Sequence, residues 1–177
     1  MGGENIGMRI RNGAPDDAES IAQLHTASWR SAYAGMMPEK FLTGPLLEDR
    51  LTVWRERLAD DPTAAGLFVA EEDDELVGFV YLTPTTDGRV LLDNLHAAPG
   101  RTRAGIGTRL LHHALEWAAA QYPGRFVYLE VLQANTAAIA FYERYGGRRT
   151  DARTAHFEQG FDLPEFEYSW PPGFVLR

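Results

Sequence analysis

A single-domain α/β fold built on a mixed sheet is what the sequence predicts, and three observations predict it. The chain has 177 residues, the length of one domain. Hydrophobic residues make up 45% of it, enough for a packed core. Period-two and helical patterns then follow one another in the order strand, two helices, three strands, helix, strand, helix, strands. No internal repeat, low-complexity segment or interdomain linker breaks that order.

The elements follow from local pattern. "MRIRNG", residues 8–13, alternates and reads as a first strand. "PDDAESIAQLH" opens a helix, with Asp16 as N-cap and Glu19 completing a capping box; Ile21, Leu24 and Ser28 share one face. "SWRSAYAGMMPEKFL" is aromatic and punctuated by Gly and Pro, so a bent connection is expected there. In "LLEDRLTVWRERLAD", 46–60, Leu47, Leu51, Trp54 and Leu58 fall at helical spacing. "GLFVAEE" and "ELVGFVYLTP" flank the acidic turn "EDDE" as a hairpin, and "RVLLDNLHA", 89–97, is the next strand. A glycine turn leads into a helix over about 106–120, buried along Ile106, Leu110, Leu111, Ala114, Leu115 and Ala118. "RFVYLEVL", 125–132, is nearly all apolar, as a strand covered on both faces should be. "NTAAIAFYERYGG" is a short helix closed by a Gly pair, and residues 148–170 read as a closing antiparallel hairpin.

Composition limits the function classes. With 17 Lys+Arg against 25 Asp+Glu the formal net charge is −8, which disfavours nucleic acid and anionic membrane as partners and favours cations, amines among them. The absence of cysteine excludes disulfides, thiolate metal sites and a cysteine nucleophile, and accords with a cytoplasmic location. No apolar run approaches the roughly 18 residues that span a bilayer. The first residues carry no basic-then-apolar signal segment, so residues 1–7 read as a disordered tail and 8–177 as the domain.

"RTRAGIGTRLL", 101–111, is the first stretch that points to chemistry. A strand, a Gly-rich turn and a helix make an anion site, because the first amides of a helix lack intrahelical acceptors and carry the positive end of its dipole. Glycines let a ligand approach the backbone, and Thr102, Arg103 and Thr108 add donors, so a phosphate or pyrophosphate is the expected anion. The glycines could equally just close a tight turn. A nucleotide P-loop would need Lys-Ser/Thr after its last glycine, where Thr108-Arg109 stands. A dinucleotide fingerprint would need a third glycine at 110, which is Leu.

"LHAAPGRTRAGIGTRLL" followed by "LEVLQANTAAIAFYERYGG" resembles the two central motifs of the GNAT superfamily of acyl-CoA-dependent N-acetyltransferases. The resemblance covers about residues 8–170. It implies a mostly antiparallel central sheet flanked by helices and splayed between its two central strands. It implies acetyl-CoA as cosubstrate, its pyrophosphate on the amides of Arg103, Ala104, Gly105, Ile106, Gly107 and Thr108. The pantetheine arm would run along Leu95 to Ala97, with Asn135 bonded to it. Thr102 stands where the family usually has Gln or Arg, and the flanking Arg101 and Arg103 are expected to cover the missing charge. Trp29 and Tyr33, four residues apart, are placed in the acceptor pocket or in aromatic packing.

The chemistry asks for a base and an acid. A lysine-like amine of pKa about 10.4 costs roughly 4–5 kcal/mol to deprotonate at pH 7, an α-amine near 8 only about 1. The resemblance assigns Tyr142, in "AIAFYE", to protonate the leaving thiolate; it also fits a core aromatic. Glu130, on an otherwise apolar strand, needs a partner or water, and the resemblance makes it the base. Asp93 is the other candidate, and strand alternation groups it with Leu91, Leu95 and Ala97. His96 then falls on the opposite face, where packing beneath the sheet is expected, and stays a minor candidate. His112 and His113 diverge on their helix, His25 and His156 lack spaced partners, and no metal is expected. The leading reading is acetyl transfer from acetyl-CoA to a primary amine, on a small molecule or a peptide N-terminus, by direct attack in a ternary complex. The alternative is a non-catalytic acyl-CoA sensor module. A homodimer is left open.

Overall fold

The computed structural model describes residues 7–59, 65–101 and 104–177. The tail expected at the N-terminus lies outside them but for Gly7, and so do Thr102 and Arg103. Seven strands form one sheet in the order β1-β2-β3-β4-β5-β7-β6. They are β1 (Arg9–Asn12), β2 (Gly66–Glu72), β3 (Glu75–Pro84), β4 (Val90–Ala97), β5 (Val127–Leu132), β6 (Arg148–Phe157) and β7 (Phe161–Trp170). All neighbours are antiparallel except β4 and β5. The helices are α1 (Ala18–Ala32), α2 (Glu39–Thr43), α3 (Leu46–Ala59), α4 (Ile106–Gln121) and α5 (Thr136–Arg144). The expected mixed sheet flanked by helices is present.

Two apolar layers sandwich the sheet. On one face Ile106, Leu110, Leu111, Ala114, Leu115 and Ala118 of α4 pack on Val80, Leu82, Val90 and Leu92, matching the buried stripe read from the sequence. On the other, Ile21, Ala22 and Leu24 of α1 and Trp54 and Leu58 of α3 cover Leu67, Val69 and Phe79. β2 is buried on both faces because its alternate residues serve both layers. The hairpin turn is made by Asp73 and Asp74, both at positive φ, which matches the twist of the strands it joins.

Two local expectations needed correction. α1 runs through "SWRSA" to Ala32, so the connection is shorter than its aromatics and glycine suggest; burial of Ser28 and half-burial of Trp29 sustain the extra turns. The N-terminal capping carboxylate is Asp17 rather than Asp16. A 3-10 turn, Pro15–Asp17, precedes α1, and Asp17 accepts from the Ala14 amide at 2.8 Å while Arg11 grips it through two bonds of 2.8 Å.

The sheet opens where the site lies. β4 and β5 pair only at Val90 with Val127 and Leu91 with Tyr128. Beyond that β5 stays with β7 as far as Leu132, while β4 stays with β3. A bulge at Asp93 bends β4: Leu92 pairs with Leu82 and Asn94 with the adjacent Tyr81, leaving Asp93 as the extra residue. The divergence leaves one edge of β4, Leu92 to Ala97, without a strand partner.

Candidate active site

The gap between β4 and β5 is a cleft of about 400 Å³ that passes through the sheet. Its walls include Leu95 and Ala97 of β4, Glu130 of β5, Tyr142 of α5 and its N-cap Asn135, and Tyr33, the C-cap of α1. Asp93 and Gly107 line it as well. Residues read from five separate stretches of sequence therefore meet at one place. The α4 and α5 side is one mouth, the α1 side the other.

At the first mouth a pocket of about 530 Å³ lies between the start of α4 and α5. Gly105 caps α4 at φ +77°, a conformation glycine adopts at little cost. A Cβ there would meet nothing within 4 Å, and one at Gly107 only the Phe141 ring at 3.5 Å, so both glycines leave the helix end open. The first helical backbone bond runs from the Arg109 amide to the Gly105 carbonyl, 3.1 Å. The amides of Ile106, Gly107 and Thr108 precede that ladder. Ala104 differs: its amide donates to the Arg101 carbonyl at 3.1 Å. Arg101 is ion-paired with Glu72, so its charge is balanced away from the pocket. Arg144 of α5 lines the pocket instead. Sequence reading passed over it because a cation in the last turn of a helix already has an explanation in the dipole. Thr108 donates to the Tyr145 hydroxyl at 3.0 Å, tying α4 to α5. Asn135 is the N-cap of α5 and accepts from the Ala138 amide at 3.3 Å.

Tyr142 stands in the cleft wall on the α5 side. Its ring packs edge-on against Phe141 and Trp170 at 5.4 and 6.1 Å. Its hydroxyl donates to no group among the described residues. Burial, and after it the neighbouring Tyr33, push the phenol above its usual range, so it keeps its proton at neutral pH. Burial raises Tyr33 in the same direction.

The acidic candidates lie on the other face. Asp93 is bound by Arg57 of α3 at 2.5 Å, and the same guanidinium donates to the Asn94 side chain at 2.9 Å. Glu130 meets Arg153 of β6 at 3.3 Å. Arg153 also holds Glu167 at 2.6 Å and approaches Glu165 at 3.8 Å. Burial, then Glu130, raise Glu165. Burial acts to raise Glu167 too, but hydrogen bonds from Thr150, Arg89 and Arg153 hold it below the usual range.

The grouping expected on β4 is corrected by the bulge. Leu95 and Ala97 pack toward α4, whereas Asp93 and Asn94 turn to α3. His96 therefore joins the side of Asp93: it lines the cleft and bonds Ser28 of α1 at 2.8 Å. Behind it lies the buried His25, whose ring is 4.8 Å away and which accepts from Trp54 at 3.1 Å. Burial lowers the pKa of His96 to about 4 and lowers that of His25, so both are neutral at pH 7. No period-two reading could have placed His96 here, because one inserted residue reverses the parity of the strand. Trp29 lies behind Tyr33, ring to ring at 5.6 Å, and carries Arg50 over its face at 5.0 Å. Among the described residues no group of three or more His, Asp or Glu could hold a metal ion, and no helix is long and apolar enough to cross a membrane.

Known proteins share this fold. A probable N-acetyltransferase of Mycobacterium tuberculosis is 28% identical to the chain, over 94% of it and 97% of the relative. PaiA N-acetyltransferase from Thermoplasma acidophilum, solved in complex with coenzyme A, superposes with a TM-score of 0.76 at 21% identity, covering 93% of this chain and 100% of that one. The ribosomal-protein-S18-alanine N-acetyltransferase from Escherichia coli gives 0.71 at 17% identity, covering 96% of each. Residues 20–147 match the acetyltransferase (GNAT) family as a whole. The chain therefore belongs to the acetyltransferase (GNAT) family, the acetyl-CoA-dependent acyltransferases.

Proposed function

We propose that the chain moves an acetyl group from acetyl-CoA to a primary amine by direct attack within the through-sheet cleft. The observation that carries this reading is the Tyr142 phenol, kept protonated and bonded to no described group, at the gap between β4 and β5. The residues fit the cosubstrate. Amides of Ile106, Gly107 and Thr108, with Arg144, face a pocket open to a pyrophosphate. The unpaired edge of β4 from Leu95 to Ala97 offers backbone groups to the amides of the pantetheine arm.

Acetyl-CoA supplies the activated acyl group. The acceptor enters from the α1 side, past Tyr33. Glu130, through a water, takes a proton from the ammonium, leaving the nitrogen lone pair free. That nitrogen bonds to the acetyl carbonyl carbon, the carbon–sulfur bond breaks, and Tyr142 gives its proton to the departing sulfur; the second proton that the nitrogen sheds in becoming an amide returns through water to the phenolate. Asp93, held by Arg57, is the second candidate base. A neutral His96 on Ser28 borders the same space and adds no charge that would repel an ammonium ion.

The test is release of the CoA thiol from acetyl-CoA on addition of a panel of primary amines. Amine-dependent release, with the acetylated amine found by mass spectrometry, is expected. Tight acetyl-CoA binding with no transfer to any amine would instead make the chain a sensor.

A further inference from the structure

Ser28 and His96 form a pair in the cleft wall that the proton transfers above leave unused. The bulge at Asp93 turns His96 toward α1, where its Nδ1 lies 2.8 Å from the Ser28 hydroxyl. Thr26, two residues earlier, donates to the Ala22 carbonyl of its own helix at 2.8 Å. Ser28 makes no such bond, and its hydroxyl has no hydrogen-bond partner but His96 among the described residues. The hydroxyl therefore donates to Nδ1, and the lone pair that accepts it fixes the ring's own proton on Nε2. Burial keeps the ring neutral at pH 7, so Nε2 carries that one proton as a donor. Nε2 bonds to no described residue, while Ser28 and His96 both line the cleft. The carboxylates of the cleft are engaged elsewhere, Asp93 by Arg57 and Glu130 by Arg153. A half-buried donor without an acceptor needs an explanation.

The acceptor it lacks is an oxygen on the substrate. Leu95, His96 and Ala97 are consecutive on the part of β4 that has left β5, and all three line the cleft, as does Tyr142. A thioester held along that edge, with its sulfur toward Tyr142, brings its carbonyl within the space that His96 borders. Resting on the acetyl-transfer reading above, we propose that His96 is a further catalytic residue: its Nε2–H donates to the acetyl carbonyl oxygen, and Ser28 positions the ring by holding its other nitrogen. As the amine nitrogen bonds to the carbonyl carbon, the π pair of the carbonyl moves onto that oxygen, and the N–H meets the negative charge that forms there. When the carbon–sulfur bond breaks the pair returns to the carbonyl, so His96 neither gains nor loses a proton. A neutral imidazole can polarise a carbonyl in this way, and it does so without repelling an ammonium ion at the mouth. The bond to Ser28 aims the donor before the charge develops, which is what makes such a donor effective.

The experiment is single-turnover transfer to an acceptor found in the amine panel, with acetyl-CoA affinity read by calorimetry. His96→Asn keeps a polar group near the Nδ1 position, toward Ser28, and removes the donor at Nε2. It should slow transfer about 10²–10³-fold, the worth of one such donor, with little change in acetyl-CoA affinity. His96→Gln places an amide N–H near where Nε2–H stood and should recover part of the loss; neither amide could replace a base. Ser28→Ala frees the ring to carry its proton on either nitrogen and should slow transfer less than His96→Asn does. An equal loss in the Asn and Gln variants overturns the inference. If neither variant folds, nitrogen NMR of the wild-type chain decides: the proton of His96 is expected on Nε2, and a proton on Nδ1 would leave a lone pair facing the cleft and overturn the donor role. Transfer at the full rate by His96→Asn leaves acetyl transfer standing and removes only this donor; transfer to no amine by the wild-type chain removes both.

Discussion

Glu130 and Asp93 reach the acceptor face from the two strands that part, and each is tied to an arginine. They are held differently. Arg57 spans Asp93 and Asn94, so Asp93→Asn leaves a partly buried guanidinium short of its anion. That variant should lose about 1 kcal/mol of stability, discounted for exposure, seen as a lower melting temperature. Glu130 is one of several carboxylates on Arg153. Glu130→Gln should leave the melting temperature nearly unchanged and lower kcat by about 10²–10⁴-fold, flattening the acidic limb of the rate profile. An unaltered profile in Glu130→Gln, with a flattened one in Asp93→Asn, moves the base to Asp93. At this scale the sequence showed which residues meet and not which way they face. Tyr142, Glu130, Asp93, Asn135 and Tyr33 were legible because each stands in a motif or breaks a pattern. The side on which His96 lies was not, because the bulge in β4 hides it, and the burial of Arg50 was not, because an arginine on an amphipathic helix looks solvated until the fold covers it.

The start of α4 is the element on which cosubstrate binding depends. A glutamate at Gly107 would clear the Phe141 ring and would suit the positive end of the helix, so Gly107→Glu should keep or slightly raise the melting temperature. The same carboxylate would occupy the pyrophosphate pocket, and calorimetry should show acetyl-CoA affinity reduced by at least 100-fold. Unchanged affinity would place the site elsewhere. Arg144→Gln should weaken acetyl-CoA about 10-fold, an amount that shrinks as salt is raised. The turn, α4, β5 and α5 were legible as elements because their glycines, apolar stripe and N-cap all agree. α1 was read short because the aromatics and glycine after Ser28 resemble a loop, whereas burial of that surface keeps it helical to Ala32.

Two neutral histidines pack between the sheet and α1, and they make the whole molecule sensitive to acid. The folded pKa of His96, about 4, lies below the ordinary value of 6.5, and burial lowers His25 likewise. Between those values the unfolded chain binds protons that the folded chain refuses. Stability is therefore complete above pH 6.5 and falls as pH drops toward 4, by roughly 1.4 kcal/mol per pH unit for each histidine that stays neutral. Asp17 and Glu71, whose pKa values arginine lowers, lose their contribution only as pH falls below their ordinary values of 3.8 and 4.5. Thermal melts from pH 7 to 5 should thus show falling stability, and His96→Gln should flatten part of that fall. The architecture as a whole was legible, because element order and the two central motifs fix a mixed sheet and their resemblance implies its splay; the bulge at Asp93, which turns the residues of β4 about the opening, was not. On the proposed reading, acetyl transfer at Tyr142 in that opening needs the phenol for chemistry and not for cosubstrate binding. Its most direct measurement is single-turnover transfer by Tyr142→Phe to an acceptor found in the amine panel, alongside calorimetry with acetyl-CoA. Because the lost hydroxyl donates to no described group, fold and acetyl-CoA affinity should stay as in the wild-type chain while transfer slows about 10²–10⁴-fold; a Tyr142→Phe chain that transfers at the full rate would contradict it.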